Sequence, residues 1–270
     1  MNVDGTPTVE VQPGTRVSVA LPGLSGGVAR VDARLAIGFQ YYADGAWRNV
    51  PGSQTVTQRF YSILRAPALS PSTQTGAPYL AWVHFLDKVA TWSNGTATND
   101  LGLMNVVTRQ IYASQGLRYD RTSGAPWYST GSPSYSTFDL AAYDVQYNGV
   151  QVNCTDCANL VTIHARMVGV DAKNEYLGYN FPLHWIKGIG WDWTNALFQG
   201  GGHSFSFHSV ATSTSGSTIH DACLAVDGDA YPSSSPFQEA LPQGMTFQRY
   251  HDALTPGSFQ GRALDRSRFQ

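Results

Sequence analysis

The spacing of apolar residues changes along the chain from a strand pattern to a helix pattern and back again. Before residue 65 the runs are strand-like, with polar and apolar residues roughly alternating: 8–11, 16–21, 28–42 and 55–64. Asp44-Gly45 lies between two aromatic-containing runs and is typical of a β-hairpin turn. Strands at this short spacing, without a helical stretch between them, predict an N-terminal antiparallel β-sandwich-like domain over residues 1–72.

The apolar period becomes helical after a break rich in Ser, Thr, Pro and Gly at residues 70–78. Four helices are predicted: from Tyr79 to the Asn94-Gly95 cap, from the Asn99/Asp100 N-cap to Gly116, 138–147, and 154–168. Strand-like signals return at 205–211 and 219–226, which flank a small polar turn. We therefore predict an α+β domain over residues 73–235, followed by an irregular C-terminal tail over 236–270.

Composition narrows the class of protein. Hydrophobic residues make up 42% and aromatic residues 12% of the 270 positions, which is enough for a packed core. Charged residues make up only 13%, the net charge is −2 and no basic run occurs, so a nucleic-acid binder or a polybasic membrane binder is not expected. No apolar stretch approaches the ~18 residues of a membrane helix, and no export signal is visible. The sequence does not distinguish a cytoplasmic protein from one that is exported by a signal-independent route.

Cys154 lies at or near the first turn of the fourth predicted helix. A helix N-terminus carries a partial positive charge and free N–H groups, so it lowers the pKa of a thiol and can hold a developing oxyanion. Three histidines and one aspartate fall within nineteen residues, on or beside the predicted hairpin: His203, His208, His220 and Asp221. Antiparallel pairing can bring a histidine on one strand close to an acid on the other, which would complete a Cys–His–Asp arrangement.

Two blocks of sequence resemble a known family. The run Cys154-Thr155-Asp156-Cys157-Ala158, followed by Arg166 and Gly169-Val170, resembles the nucleophile helix of the transglutaminase-like superfamily. His208-Ser209-Val210-Ala211 and Ile219-His220-Asp221-Ala222 look like that family's His and Asp strands, although its usual His-x-Trp is absent. The resemblance covers residues 79–229 and implies a papain/transglutaminase-like fold for the catalytic domain. An excess of Arg over Lys agrees with a bacterial source.

The resemblance also implies roles for single residues. Cys154 would be the nucleophile, His208 the general base and then acid, and Asp221 the residue that orients the imidazole. The rival pair is His203 with Asp227. The implied activity is acyl transfer on a protein or peptide amide through a thioester, by a peptidase, a deamidase or a transglutaminase, without a cofactor or a metal.

Other residues have more than one interpretation. Three tryptophans that precede the predicted His strand are expected to line a substrate groove: Trp185, Trp191 and Trp193. The candidates for the side chain on the oxyanion side of the site are Trp127, Gln146 and Gln151. Cys157 is expected to be a small buried residue, and Cys223 could be a core residue or bridge to Cys157. The Cys-x-x-Cys pair could also be a redox motif or half of a zinc site completed by Cys223 with His203 or His208, although a second Cys-x-x-Cys or a spaced His pair is missing.

Two other functions stay open from the sequence. One is a catalytically inactive transglutaminase-like domain that binds a protein or peptide. The departure from the family's usual His motif is compatible with this function. A structural or adhesion protein could recognise its partner through residues 1–70, with an incidental thiol. Reactivity of the Cys154 thiol separates the enzyme from both.

Overall fold

The structure is a computed structural model, and it describes residues 2–3, 26–37, 40–52, 54–67, 78–132, 135–194, 197–198, 203–213, 218–227, 241–258, 262–265 and 268–269. Its helices are α1 (Pro78–Ser93), α2 (Asp100–Ser114), α3 (Leu140–Val145), α4 (Cys154–Met167) and α5 (Phe247–Leu254). The N-terminal strands are β1 (Asn2–Val3), β2 (Ala29–Ile37), β3 (Gln40–Ala43), β4 (Ala46–Asn49) and β5 (Gln54–Ser62).

The remaining strands are short. Between the second helix and residue 194 they are β6 (Arg118–Tyr119), β7 (Ser129–Ser132), β8 (Tyr135–Phe138), β9 (Gln151–Val152), β10 (Lys173–Leu177), β11 (Phe181–Pro182), β12 (Ile186–Gly188) and β13 (Trp193–Thr194). Later in the chain they are β14 (Ser204–Phe205), β15 (His208–Thr212), β16 (Thr218–His220), β17 (Leu224–Val226), β18 (Gln243–Thr246), β19 (Arg262–Asp265) and β20 (Arg268–Phe269). Helices and antiparallel sheets together confirm the α+β class.

Helices α1 and α2 are bounded by capping residues that the sequence indicates. Helix α1 is followed by Asn94 and Gly95, whose φ angles of 42° and 78° reverse the chain. Asn99 caps α2, since its side chain accepts a hydrogen bond from the N–H of Gly102 at 2.8 Å. Helix α3 begins later than predicted because Asp139 is its N-cap. Among the residues that the structure describes, no helix is long and apolar enough to cross a membrane.

The described N-terminal residues form a three-stranded antiparallel sheet in the order β1-β2-β5, which we call the N-terminal ribbon, and a separate β3–β4 hairpin. Strands β2 and β5 pair from Ala29 opposite Ser62 to Ile37 opposite Gln54. Asp44 and Gly45 have φ angles of 53° and 76°, which confirms the predicted hairpin turn. The strands predicted at 8–11 and 16–21 lie outside the described residues.

The base of this ribbon is hydrogen-bonded to the helical part of the chain. The N–H of Val28 donates to the carbonyl oxygen of Ala97 at 3.0 Å, and the N–H of Leu64 donates to that of Val168 at 3.1 Å. Gly169, directly after α4, approaches the backbone of Arg65 at the same place. The predicted boundary near residue 72 is therefore crossed by backbone contacts.

The largest sheet has five strands in the order β18-β16-β15-β10-β19. Helix α4 packs against both β15 and α2. All but two of its fourteen residues are buried. Cys154 begins this helix, and His208 begins β15, paired with Leu177 at the end of β10. The sheet and helix thus bring the two residues into one region of the core.

The predicted strand at 219–226 is divided in two. Strand β16 belongs to the five-stranded sheet, whereas β17 pairs with β12 in a different sheet. Asp221 lies at the division, and its Oδ1 accepts hydrogen bonds from the N–H groups of Cys223 at 2.7 Å and Leu224 at 3.3 Å. An aspartate that binds backbone N–H groups two and three residues on favours a bend over a continuous strand. Asp221 and Cys223 therefore lie in the bend between β16 and β17 and not on one continuous strand.

The C-terminal segment, predicted to be irregular, contains regular structure. Strand β18 pairs with β16, β19 pairs with the edge of β10, and α5 lies between them in the chain. Thr246 caps α5, and the apolar residues Phe247, Tyr250 and Leu254 recur at helical spacing. The prediction of an irregular tail is wrong here because the helical signal extends over only eight residues.

Candidate active site

The start of α4 is built to present Cys154. Asn153 is the N-cap, and its side-chain oxygen accepts the N–H of Asp156 at 3.0 Å, while Asp156 Oδ2 accepts the N–H of Asn153 at 3.4 Å. The N–H of Cys157 makes the first hydrogen bond of the helix, to the carbonyl oxygen of Asn153. The N–H groups of Cys154 and Thr155 are left without an intrahelical acceptor, at the positive end of the helix dipole.

Asp156 joins the helix start to a neighbouring loop. Its carboxylate accepts the N–H of Trp127 at 2.6 Å and the N–H of Tyr128 at 3.1 Å. Burial raises the pKa of Asp156, and these backbone hydrogen bonds oppose that rise. The side chains of Trp127, Gln146 and Gln151, the three candidates for the oxyanion side, are all exposed.

His208 and Asp221 are directly hydrogen-bonded. Nε2 of His208 lies 2.9 Å from Oδ2 of Asp221, and both side chains are buried. The imidazole stacks on the ring of Phe205, with centroids 4.9 Å apart and planes 11° from parallel. Oδ2 of Asp221 also accepts a hydrogen bond from the hydroxyl of Tyr250 at 2.7 Å. The imidazole is thus fixed by one carboxylate and one aromatic face.

The environment of His208 favours its charged form. Burial lowers the pKa of His208, but the charge and hydrogen bond of Asp221, and then the interactions with Cys154, outweigh burial and raise the pKa to about 10. Nδ1 is buried and makes no hydrogen bond within the described part of the chain. Since Asp221 occupies Nε2, Nδ1 is the nitrogen left to serve the thiol of Cys154, and such contacts often tighten only when substrate binds.

The other two thiols have a different environment. Cys157 and Cys223 are buried and hydrogen-bonded to each other, and all three cysteines are free. The hydrogen bond from Cys223 lowers the pKa of Cys157, but burial and the nearby acidic groups give a net increase. Burial raises the pKa of Cys223 well above its usual value. Both residues are therefore expected to stay protonated thiols at neutral pH.

His203, the rival base, lies in a different environment from His208. His203 is exposed and precedes β14, whereas His208 is fully buried. Within the described ranges, no three or more His, Cys, Asp and Glu residues gather in a way that could hold a metal ion.

Trp191, one of the three predicted groove tryptophans, is linked to His208 through Tyr119 and Phe205. Its Nε1 donates to the carbonyl oxygen of Tyr119 at 2.9 Å, and the guanidinium groups of Arg118 and Arg121 lie 5.1 and 5.0 Å from its ring. The Tyr119 ring lies 6.4 Å from that of Phe205, which stacks on His208. The other two are half-buried beside β12: Trp185 and Trp193.

Sequence reasoning missed two residues of the site, Phe205 and Tyr250. Phe205 lies three residues before His208 and reaches it because the chain bends at residues 206–207, which only the fold shows. Tyr250 could have been found from the Thr246 cap and the apolar spacing of α5. Its contact with Asp221 depends on how α5 docks, which the spacing does not predict.

Comparison with known proteins adds no family to this geometry. No protein-family model matches the chain, and no curated protein matches it significantly. The resemblance to the transglutaminase-like superfamily therefore rests on the residues quoted above and stays a prediction.

Proposed function

We propose that this chain catalyses cysteine-dependent acyl transfer on a protein or peptide amide through a thioester intermediate. The observation that carries the proposal is the 2.9 Å hydrogen bond between buried His208 and Asp221, in a core where Cys154 begins a capped helix. Interaction with Cys154 is also one of the causes that raise the pKa of His208. A nucleophile, a base and an orienting acid are the three parts that such chemistry needs.

The steps follow from the charges of the three groups. The thiolate of Cys154 attacks the carbonyl carbon, and a C–S bond forms as the carbonyl electrons move to oxygen. The N–H groups of Cys154 and Thr155 would stabilise that oxyanion. The imidazolium of His208 then gives its proton to the departing nitrogen as the C–N bond breaks, which leaves a thioester. Water or an amine, deprotonated by His208, attacks the thioester and releases the thiolate.

The acceptor decides the name of the activity. With water the same steps give a peptidase or a deamidase, and with an amine they give a transglutaminase. The proposal extends to the arrangement of the chain, with residues 73–235 as a papain/transglutaminase-like domain and residues 1–72 as a β-sandwich-like domain. A helix that begins with the nucleophile and packs on the sheet strand bearing the histidine supports the first of these.

The test is iodoacetamide labelling from about pH 5 to about pH 9, with each cysteine quantified by peptide mass spectrometry. Cys157 and Cys223 serve as internal controls because their thiols are buried and have raised pKa values. We expect Cys154 to label well below pH ~8, and His208→Ala to abolish this low-pH reactivity. His203→Ala is the matched variant and should leave labelling unchanged.

Three outcomes would change the proposal. If His203→Ala removes the reactivity and His208→Ala does not, the base is His203. If Cys154 labels only with the profile of an ordinary thiol, or Cys157 labels first, the chain is not an enzyme of this kind.

A catalytically inactive binding or structural module is the second candidate. Two observations favour it: Cys154 is only 2% exposed, and the β3–β4 hairpin displays Tyr41, Tyr42 and Trp47 at 49%, 61% and 55% exposure. Exposed aromatic residues of this kind are common in interaction surfaces. This candidate predicts an unreactive Cys154 and a protein or peptide partner that is lost when Tyr42 and Trp47 are replaced by serine.

A further inference from the structure

The C-terminal segment holds Asp221 from two directions. The N–H of Asp221 donates to the carbonyl oxygen of Pro242 at 2.9 Å, directly before β18. The hydroxyl of Tyr250 donates to Oδ2 of Asp221 at 2.7 Å from helix α5. One short stretch, 242–250, thus determines both the backbone position and the carboxylate position of the residue that contacts His208.

Helix α5 is anchored so that the Tyr250 hydroxyl has a defined place. At its start, the Thr246 side chain accepts the N–H of Arg249 at 3.3 Å. At its end, the carbonyl oxygen of Leu254 accepts the N–H of His184 at 2.9 Å. Tyr250 and Leu254 are fully buried between these two anchors. The phenol therefore has little freedom to leave Asp221.

The carboxylate of Asp221 is buried, and four described groups donate hydrogen bonds to it. Oδ1 accepts from the N–H groups of Cys223 and Leu224, and Oδ2 accepts from Tyr250 and His208. A buried charge is tolerated when its lone pairs are satisfied in this way. Loss of the Tyr250 hydroxyl would leave Oδ2 with His208 as its single described donor.

The phenol stays a donor over the working pH range. Burial raises the pKa of Tyr250 well above its usual value, and the charge and hydrogen bond of Asp221 raise it further. The titratable groups that act on Tyr250 are Asp221, Cys223 and Cys154, and those that act on His208 are Asp221 and Cys154.

We propose that Tyr250 is a positioning residue for the reaction: its hydroxyl fixes Oδ2 of Asp221 opposite Nε2 of His208 and thereby aligns the imidazole for Cys154. The inference rests on the proposed function, since it assigns a role in the same Cys–His–Asp unit. Tyr250 acts through Asp221 and is not itself a catalytic residue.

A double-mutant cycle on the rate of Cys154 labelling tests this role at neutral pH. Tyr250→Phe keeps the ring and removes only the hydroxyl, so we expect the rate to fall about threefold to tenfold. In the Asp221→Asn background, where the carboxylate charge is gone, the same change should alter the rate by less than about 1.5-fold. Equal factors in both backgrounds would show a merely structural effect and overturn the inference.

A matched control and a spectroscopic signal complete the design. Tyr143→Phe removes another buried hydroxyl, the one bonded to Gln115, and should leave labelling unchanged. In ¹⁵N-histidine-labelled wild-type protein, the His208 Nε2 proton should give a low-field resonance with a nuclear Overhauser contact to the Tyr250 hydroxyl proton. That resonance should move in Tyr250→Phe and stay in Tyr143→Phe.

The spectroscopic signal separates this inference from the proposed function. If Cys154 is unreactive in the wild type, the proposed function fails, and the resonance still reports whether Tyr250 and His208 share Asp221. If Cys154 is reactive but the contact is missing in the wild type, or Tyr250→Phe changes neither the labelling rate nor the resonance, the role of Tyr250 fails alone. The wild-type contact supports or overturns the inference even if a variant does not fold.

Discussion

Replacement of Gly169 by alanine should separate backbone strain from steric overlap at the junction between α4 and the N-terminal ribbon. Gly169 has a φ of +95°, and a Cβ built on it would lie 2.4 Å from the carbonyl oxygen of Arg65 and 2.7 Å from its carbonyl carbon. Both are backbone atoms, so the contact cannot be relieved by rotating a side chain. The neighbouring Leu64 N–H bond to Val168 and the Arg65 Nε bond to the Gly169 carbonyl oxygen would be displaced with it.

The magnitude follows from two contributions. A left-handed φ costs a residue with a Cβ about 1–2 kcal/mol. Overlap in a packed region typically adds about 1–3 kcal/mol. Gly149 supplies the matched control, because its φ is +78° and a Cβ there would meet nothing within 4 Å. Gly149→Ala should therefore lower the free energy of unfolding by about 1–2 kcal/mol, and Gly169→Ala by about 2–5 kcal/mol.

Urea unfolding of both variants and the wild type, followed by circular dichroism, gives the two free energies on one scale. A larger loss for Gly169→Ala is expected. If the two losses agree within about 0.5 kcal/mol, the ribbon does not pack against Gly169 as described and the reasoning is wrong.

Two further predictions concern buried polar groups. Burial lowers the pKa of His164 to about 3 and that of His220 to about 4, below the ordinary value near 6.5, so the unfolded chain binds protons that the folded chain does not. The free energy of unfolding should thus fall as the pH falls from about 6.5, by about 2 kcal/mol per histidine at pH ~5. His220→Leu should remove the contribution of His220 to this loss, measured by urea unfolding at pH ~6.5 and at pH ~5. In the core, the side-chain amide of Asn159 donates to the hydroxyl of Ser129 at 2.9 Å and accepts from the amide of Asn174 at 2.6 Å. Asn159→Ala should therefore lower the free energy of unfolding by about 2–4 kcal/mol, and a loss below about 1 kcal/mol would contradict that network.

The sequence was most informative where local signals are sufficient. Helix α4 begins at Cys154, as the apolar period predicted, and Asn153 caps it. The hairpin turn at Asp44-Gly45 was likewise predictable, since a turn with two positive φ angles favours this dipeptide. The predicted hairpin allowed a histidine on one strand to meet an acid on the other, and Nε2 of His208 lies 2.9 Å from Oδ2 of Asp221.

The sequence was least informative where long-range packing decides. The division of the predicted strand at Asp221 was missed: an aspartate there can favour a bend, but only the fold shows that the two halves belong to different sheets. Tyr250 is twenty-nine residues from Asp221 and contacts it only once α5 has docked. Helix ends and tight turns depend on residues that are close in the sequence. Residues that support a site from behind, such as Tyr250, reach it only through the packing of the whole core.

The most direct test of the central claim is the ultraviolet absorbance of the Cys154 thiolate, taken as the difference between the wild type and Cys154→Ala during a pH titration. If Cys154, His208 and Asp221 form one charged unit, the wild type should show a thiolate signal that depends on the imidazole, and His208→Ala should change its titration to that of an ordinary thiol, near pH ~8.5. A wild-type thiolate that appears only near pH ~8.5, unchanged by His208→Ala, would contradict the account.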